Sequence, residues 1–192
     1  MKTILILNAH PNKKSFCSAL AESYLNGAQS SNADIKLINL IDLNFDPILK
    51  TTNSQDTELE PDILKVQKEI SKADHLVFVY PNWWGTYPAL LKGFFDRVFT
   101  SGFAFRYRTK NPLPEKLLTG KSARVIVTMD TPAWYYSIGY RKPGHNSMKK
   151  SILGLCGITP VKFTTLTPIR NSSVEQRNKW LEKVNALGRK MI

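Results

Sequence analysis

Cysteine, histidine and acidic side chains are all scarce in this sequence, and each scarcity removes a class of protein. Two cysteines, Cys17 and Cys156, among 192 residues make no disulfide framework, and no Cys-x-x-Cys pair spaces ligands for zinc. Both lie in segments with helical patterning, where a thiol in or near the core is expected. With three histidines, His10, His75 and His145, and no His-Glu-x-x-His, no metal centre is expected. His75 opens a strand and reads as structural. Gly-x-Ser-x-Gly is absent, which removes the nucleophile elbow of a serine hydrolase. No window approaches ~20 apolar residues, so no membrane span is expected. The apolar start of MKTILILNAHP is too short and too β-branched for a secretion signal, and cytoplasm is the expected location.

The shortage of acid leaves 15 Asp and Glu against 27 Lys and Arg, a net charge of +12. Such a chain is drawn to polyanions: nucleic acid, anionic lipid or phosphorylated cofactors. The cations are dispersed, however, as Lys13-Lys14, Arg106/Arg108/Lys110, Arg141-Lys142, Lys149-Lys150 and Arg189-Lys190. That spread reads as a solvated basic surface and not as a nucleic-acid footprint. With 42% hydrophobic and 22% charged residues the composition is that of a folded globular protein. No repeat, low-complexity tract or linker divides it, so residues 1–192 are expected to form one domain.

What is present is an alternation of short apolar runs with amphipathic stretches. Strands are predicted at Thr3–Ala9, Ile35–Ile41, Leu76–Tyr80, Ala123–Met129 and Val161–Leu166. Helices are predicted at Phe16–Ala28 with Ser15 as N-cap, at Asp62–Ser71, at Pro88–Phe99, at Ser147–Cys156 ended by Gly157, and at Val174–Lys190. The stretch from Asp42 to Pro61 reads as a surface wrap, Phe103–Thr119 as irregular, and Asp130–Gly144 as a loop. Strands that are apolar throughout belong to a parallel sheet covered on both faces. The expected fold is therefore α/β: a doubly wound sheet of five parallel strands in order 2-1-3-4-5, the flavodoxin type.

In such a sheet ligands bind beyond the carboxyl ends of the strands, at the switch between strands 1 and 3. Three loops there carry distinctive residues. Ala9 to Cys17 runs into a helix N-terminus, an anion site to which Ser15 can add a hydroxyl and His10 or Lys14 charge. Lacking Gly-rich spacing, it suits one terminal phosphate better than a pyrophosphate. His10 reads equally as a turn residue satisfied by backbone. The second loop, Pro81-Asn82-Trp83-Trp84-Gly85-Thr86-Tyr87, suits a flat heterocycle addressed at its polar edge by Asn82, or else one Trp plugs the domain and the other meets a partner. The third, Thr128-Met129-Asp130-Thr131 through Tyr136, reads as a second wall or as a loop packed on its own aromatics.

Taken with Asn44-Phe45-Asp46-Pro47, with Pro88-Ala89-Leu90-Leu91-Lys92-Gly93-Phe94-Phe95-Asp96-Arg97-Val98-Phe99, with Gly102-Phe103-Ala104-Phe105 and with Gly154-Leu155-Cys156-Gly157, these loops give a resemblance. The chain resembles the NAD(P)H:quinone oxidoreductase family of flavodoxin-like flavoproteins, the group of DT-diaphorase, drug-activity modulators and ancillary subunits of potassium-efflux systems. The resemblance implies a homodimer with two flavins at its interface. It implies ping-pong chemistry, in which hydride passes from NAD(P)H to flavin and two electrons then pass to a quinone or similar acceptor.

Carried over position by position, it implies that His10, Ser15, Phe16 and Cys17 bind the flavin phosphate. Pro81, Asn82, Trp83, Trp84 and Gly85 would line the ring edge, so that Trp84→Ala would loosen the flavin. Thr128, Asp130 and Thr131 would contact its other side, and Tyr136 would stabilise negative charge on the reduced ring. The longer members use a histidine six residues beyond that tyrosine. Lys142 stands there instead, so Lys142 or His145 would supply the positive charge. Asp130-Thr131 replaces two glycines of the longer members, whose C-terminal extension has no counterpart here. FMN is the expected cofactor and FAD the alternative. The rival expectations are a flavin-bound regulatory subunit docking on a membrane transporter and a flavodoxin-type electron carrier. Carriers are typically acidic, which this chain is not.

Overall fold

In the computed structural model, which describes residues 1–31, 33–50, 58–108 and 111–192, three apolar runs form the centre of a sheet. They are β1 (Lys2–Asn8), β3 (His75–Pro81) and β6 (Ser122–Thr128). Every position of β3 is buried. β2 (Ala33–Asn39) and β7 (Val161–Leu166) close the edges, in the order β2-β1-β3-β6-β7. All pairings in this sheet are parallel. The fold is therefore flavodoxin-like α/β, with the parallel strands in the expected order.

Alternate residues of β1 point to opposite faces, and each face has its own core. Ile4 and Ile6 join Leu20 and Tyr24 of α1 (Phe16–Gln29) and Val184 of α7 (Val174–Arg189). Leu5 and Leu7 join Ile63, Val66 and Ile70 of α2 (Pro61–Lys72) and Leu91, Phe94 and Phe95 of α3 (Ala89–Val98). α1 starts where expected because the Ser15 hydroxyl accepts from the backbone N–H of Ser18. Ser173 does the same for Gln176 at the start of α7. α1 and α7 touch through glycine. A Cβ on Gly27 would collide with the Asn185 carbonyl oxygen, and one on Gly188 with that of Tyr24.

Four stretches depart from the patterning. The second strand gives way after Asn39 to a 3₁₀ turn, Leu40–Asp42. The stretch expected to be irregular contains an antiparallel pair, β4 (Phe105–Arg108) with β5 (Asn111–Lys116), tied by an Arg108–Glu115 ion pair at 2.6 Å. Pro112 and Pro114 hide this strand from the sequence, because proline is disfavoured in sheets except at edges. The loop after β6 contains two short helices, α4 (Ala133–Ile138) and α5 (Pro143–Asn146). Beyond them the expected α-helix is π-wound over Ser147–Leu153 before α6 (Gly154–Cys156). A Cβ on Gly154 would meet the Lys149 carbonyl oxygen at 2.6 Å, a contact glycine avoids. Gly157 ends the stretch in the left-handed conformation, at φ 95°.

The expected surface wrap is pinned down where it is described. Asp46 N–H donates to Glu60, whose other oxygen takes the Arg97 guanidinium at 2.7 Å, and Phe45 packs edge-on to Phe94. Positions 51–57 of that wrap lie outside the described residues. Among the described residues, no helix is long and apolar enough to cross a membrane, and no cluster of His, Cys, Asp or Glu is placed to hold a metal.

Candidate active site

The loops that follow β1, β3, β6 and β7 enclose a cleft of about 350 Å3 at the carboxyl edge of the sheet. The first loop is built from side chains that bond the backbone two residues on. His10 N–H donates to Asn8 Oδ1, Asn12 N–H to His10 Nδ1 at 2.9 Å, and Lys14 N–H to Asn12 Oδ1 at 2.8 Å. Because Nδ1 of His10 is an acceptor, its proton sits on Nε2. Burial lowers its pKa, so His10 is a neutral donor at the cleft and not a source of charge. Phe16 and Cys17 line the cleft at the first turn of α1, where N–H groups have no partner within the helix. The Cys17 thiol lies 3.2 Å from Thr128 Oγ1, and burial pushes its pKa up to about 12.

The second loop turns tightly. Thr86 N–H donates to the Trp83 carbonyl at 3.0 Å, and both central residues are left-handed, Trp84 at φ 53° and Gly85 at φ 79°. This is the type I′ arrangement, natural for glycine and strained for tryptophan. It separates the two indoles. Trp83 lines the cleft, edge-on to His10 with centroids 5.8 Å apart, whereas Trp84 is fully exposed and points away from it. Asn82 is held by its N–H to the Thr128 carbonyl at 2.7 Å. Its Oδ1 is buried without a hydrogen-bond partner, although the residue lines the cleft.

The third loop is stitched to the loop after β7. Ile169 N–H donates to the Met129 carbonyl, Thr167 Oγ1 to the Thr131 carbonyl, and Arg170 N–H to Asp130 Oδ1 at 2.7 Å. Asp130, Ile169 and Arg170 form the wall of the cleft on this side.

Behind the second loop stands Tyr136 of α4, which is buried. Its hydroxyl donates to the Gly85 carbonyl and accepts from Gly144 N–H, both at 3.1 Å, and lies 3.1 Å from Nδ1 of His145. With its one proton on Gly85, the hydroxyl accepts from Nδ1–H, and Nε2 of His145 then accepts from Thr165 Oγ1 at 2.9 Å. Burial first, and Lys142 second, lower the His145 pKa to about 4, so the imidazole is neutral. Of the two residues expected near Tyr136, His145 is the one whose ring reaches its hydroxyl. Lys142 contributes a left-handed backbone turn at φ 53° and an N–H to the Tyr136 carbonyl.

A family model described as flavodoxin-like fold matches residues 2–187. An NAD(P)H oxidoreductase of Haemophilus influenzae, itself named as uncharacterized, is 31% identical over 93% of this chain and 90% of its own. NAD(P)H dehydrogenase [quinone] 1 of Rattus norvegicus is 30% identical over 95% of this chain and 74% of its own. The chain belongs to the NAD(P)H:quinone oxidoreductase family of flavodoxin-like proteins. The solved NAD(P)H:quinone oxidoreductase of Methanothermobacter marburgensis superposes with a TM-score of 0.83 at 26% identity, over 99% of this chain and 96% of that one.

Of the residues that the resemblance to this family singled out, His10, Phe16, Cys17, Pro81, Asn82, Trp83, Thr128 and Asp130 line one cleft. Ser15 is engaged in capping α1, Thr131 offers its carbonyl to Thr167, and Gly85 faces Tyr140 and Pro143. Within one chain Trp84, Tyr136 and His145 do not line the cleft; the type I′ turn turns the first outward, Tyr136 is buried behind the wall, and half-buried His145 is bonded to Tyr136 and Thr165. Ile169 and Arg170 were not singled out. The signal for them was modest, an apolar and a basic residue following the fifth strand at Thr167-Pro168.

Proposed function

We propose that this family member is a flavin-dependent NAD(P)H:quinone oxidoreductase, with FMN as cofactor and FAD as the alternative, acting as a homodimer. The observation that carries the reading is Asn82: a buried acceptor without a partner, on a cleft lined by aromatic rings at the switch point of the sheet. A flat heterocycle with an N–H edge is the group that supplies the missing donor. His10 and Trp83 would flank the ring, and the free N–H groups of Phe16 and Cys17 would take the phosphate. A flavin held there would supply the redox chemistry, accepting hydride from a nicotinamide and giving two electrons to a quinone.

Tyr136 and His145 serve this site as positioning residues. Their hydrogen bonds hold Gly85, and with it the turn that sets Trp83 in the wall and Trp84 outside it. The rim outside is apolar and continuous. Trp134, Tyr135 and Tyr140 follow one another at 5.6 and 5.1 Å between centroids, and Tyr140 reaches Gly85. An exposed aromatic patch of this kind favours coverage by a partner, here a second copy of the chain.

The test is a visible spectrum of the purified protein, followed by anaerobic addition of NADPH and then of a small quinone. A flavin spectrum that bleaches and recovers in one two-electron cycle supports the reading. A colourless protein that takes up neither FMN nor FAD and oxidises no NAD(P)H overturns it.

A further inference from the structure

The loop that the sequence assigns to a phosphate supplies little charge in the folded chain. His10 is neutral and Lys13 is paired with Asp42 at 2.5 Å. Lys14 does not line the cleft. Among the described residues that do line it, Arg170 is the one permanent cation and Asp130 the one acid. The two face each other. Asp130 is fixed by the Arg170 backbone N–H at 2.7 Å, while the guanidinium Nε stands 3.6 Å from its second oxygen. Arg177 cannot take the same part, because its guanidinium is occupied with Ser172 Oγ, with the Ile169 carbonyl and with the Phe16 ring face.

The side chains of Arg170 and Asp130 are 81% and 52% exposed, so their ion pair is weak and easily exchanged. A phosphate is the stronger partner for a guanidinium, since it carries more charge and accepts two parallel N–H bonds. Resting on the flavin reading above, we propose that Arg170 and Asp130 form a charge latch that selects phosphorylated flavin. Arg170 joins the N–H groups of Phe16 and Cys17 in holding the phosphate, and Asp130 competes for its guanidinium. With no phosphate bound, the pair leaves the cleft near neutral; a phosphorylated ligand draws the guanidinium across. A flavin lacking phosphate gains nothing from the exchange.

The experiment titrates apoprotein with FMN and with riboflavin, read by quenching of flavin fluorescence, for wild type, Arg170→Ala and Asp130→Asn. The amide introduced by Asp130→Asn keeps an oxygen for the Arg170 N–H, so that variant preserves the loop. Arg170→Ala weakens FMN about five- to tenfold and leaves riboflavin unchanged. Asp130→Asn tightens FMN a few-fold, again without effect on riboflavin. Added salt weakens FMN binding more steeply in wild type than in Arg170→Ala. Equal effects on both flavins, no effect of Arg170→Ala, or weaker FMN binding in Asp130→Asn overturn the latch and leave the flavin reading standing. A wild-type protein that binds neither flavin, nor FAD, overturns both.

Discussion

The hydroxyl of Tyr136 and Nδ1 of His145 stand 3.1 Å apart behind the wall of the cleft, nine residues apart in sequence and joined across a left-handed turn at Arg141 and Lys142. The pair closes a network in which each polar atom has one consistent role: Tyr136 donates to Gly85, His145 donates to Tyr136, and Thr165 donates to His145. The turn carrying Trp83 and Trp84 is thereby fastened to α5 and to β7.

Tyr136→Phe removes the centre of this network and leaves the Nδ1–H of His145 without its partner. The expected cost is about 1–3 kcal/mol, the desolvation of buried groups left unpaired. Thermal unfolding should fall by roughly 2–4 °C per kcal/mol, and flavin affinity should fall with it because the Gly85 carbonyl keeps only its bond from Gly144 N–H. Unchanged melting and unchanged affinity would remove the positioning role.

Stability should fall with acid well above the carboxylate range. Burial lowers His145 to about 4 and His75 to about 3, His75 also feeling Lys2, Arg124 and Lys162. The unfolded chain protonates its histidines near ~6.5. Below that pH the unfolded state binds protons that the native state refuses. The contribution is therefore complete above pH ~6.5 and is lost as the pH falls toward the native values, by up to ~1.4 kcal/mol per pH unit for buried His75 and less for His145. Urea midpoints at pH 7, 6 and 5 measure it, and His145→Gln should flatten part of the slope. A midpoint constant over that range would contradict the burial of both rings.

Neither thiol should behave as a reactive cysteine. Burial pushes Cys17 and Cys156 up to about 12, and the bond between Cys17 and Thr128 only partly opposes this. At pH 8 the native protein should react with a thiol reagent far more slowly than the urea-unfolded protein, although Cys17 borders the cleft. Fast labelling of native Cys17 would show that the cleft stabilises a thiolate.

The two tryptophans should separate under mutation. Trp83→Ala opens the wall beside His10 and weakens flavin binding directly. Trp84→Asn relieves a left-handed backbone that suits Asn-Gly in a type I′ turn. It should leave the isolated fold at least as stable while weakening association of two chains. Sedimentation velocity and flavin titration on both variants read the two effects. An unaltered dimer in Trp84→Asn would remove the indole from the interface.

Much of the architecture was legible because it rests on local pattern. Runs such as ILIL and LVFVY are apolar at every position, as in a strand covered on both faces, and β1 and β3 are such strands. Ser15 and Gly157 marked helix ends through capping and left-handed geometry. The π-wound stretch was not legible, since α and π turns draw on the same residues and differ by one residue in the closing bond. The β4–β5 pair escaped because two prolines argue against a strand whose ladder is short and at an edge.

The cleft divides in the same way. The sequence by itself determined the chemical inventory of three loops, because strand-end loops in a doubly wound sheet converge wherever the strand order reverses. Tertiary structure alone decided how those residues share the work. The handedness of one turn puts Trp83 inside and Trp84 outside, and the backbone bond to Nδ1 makes His10 a neutral donor. Pairing of β6 with β7 brings Arg170, forty residues away, against Asp130. Such contacts depend on distance through space and on which atom a proton occupies, and neither is written in the spacing of residues along the chain.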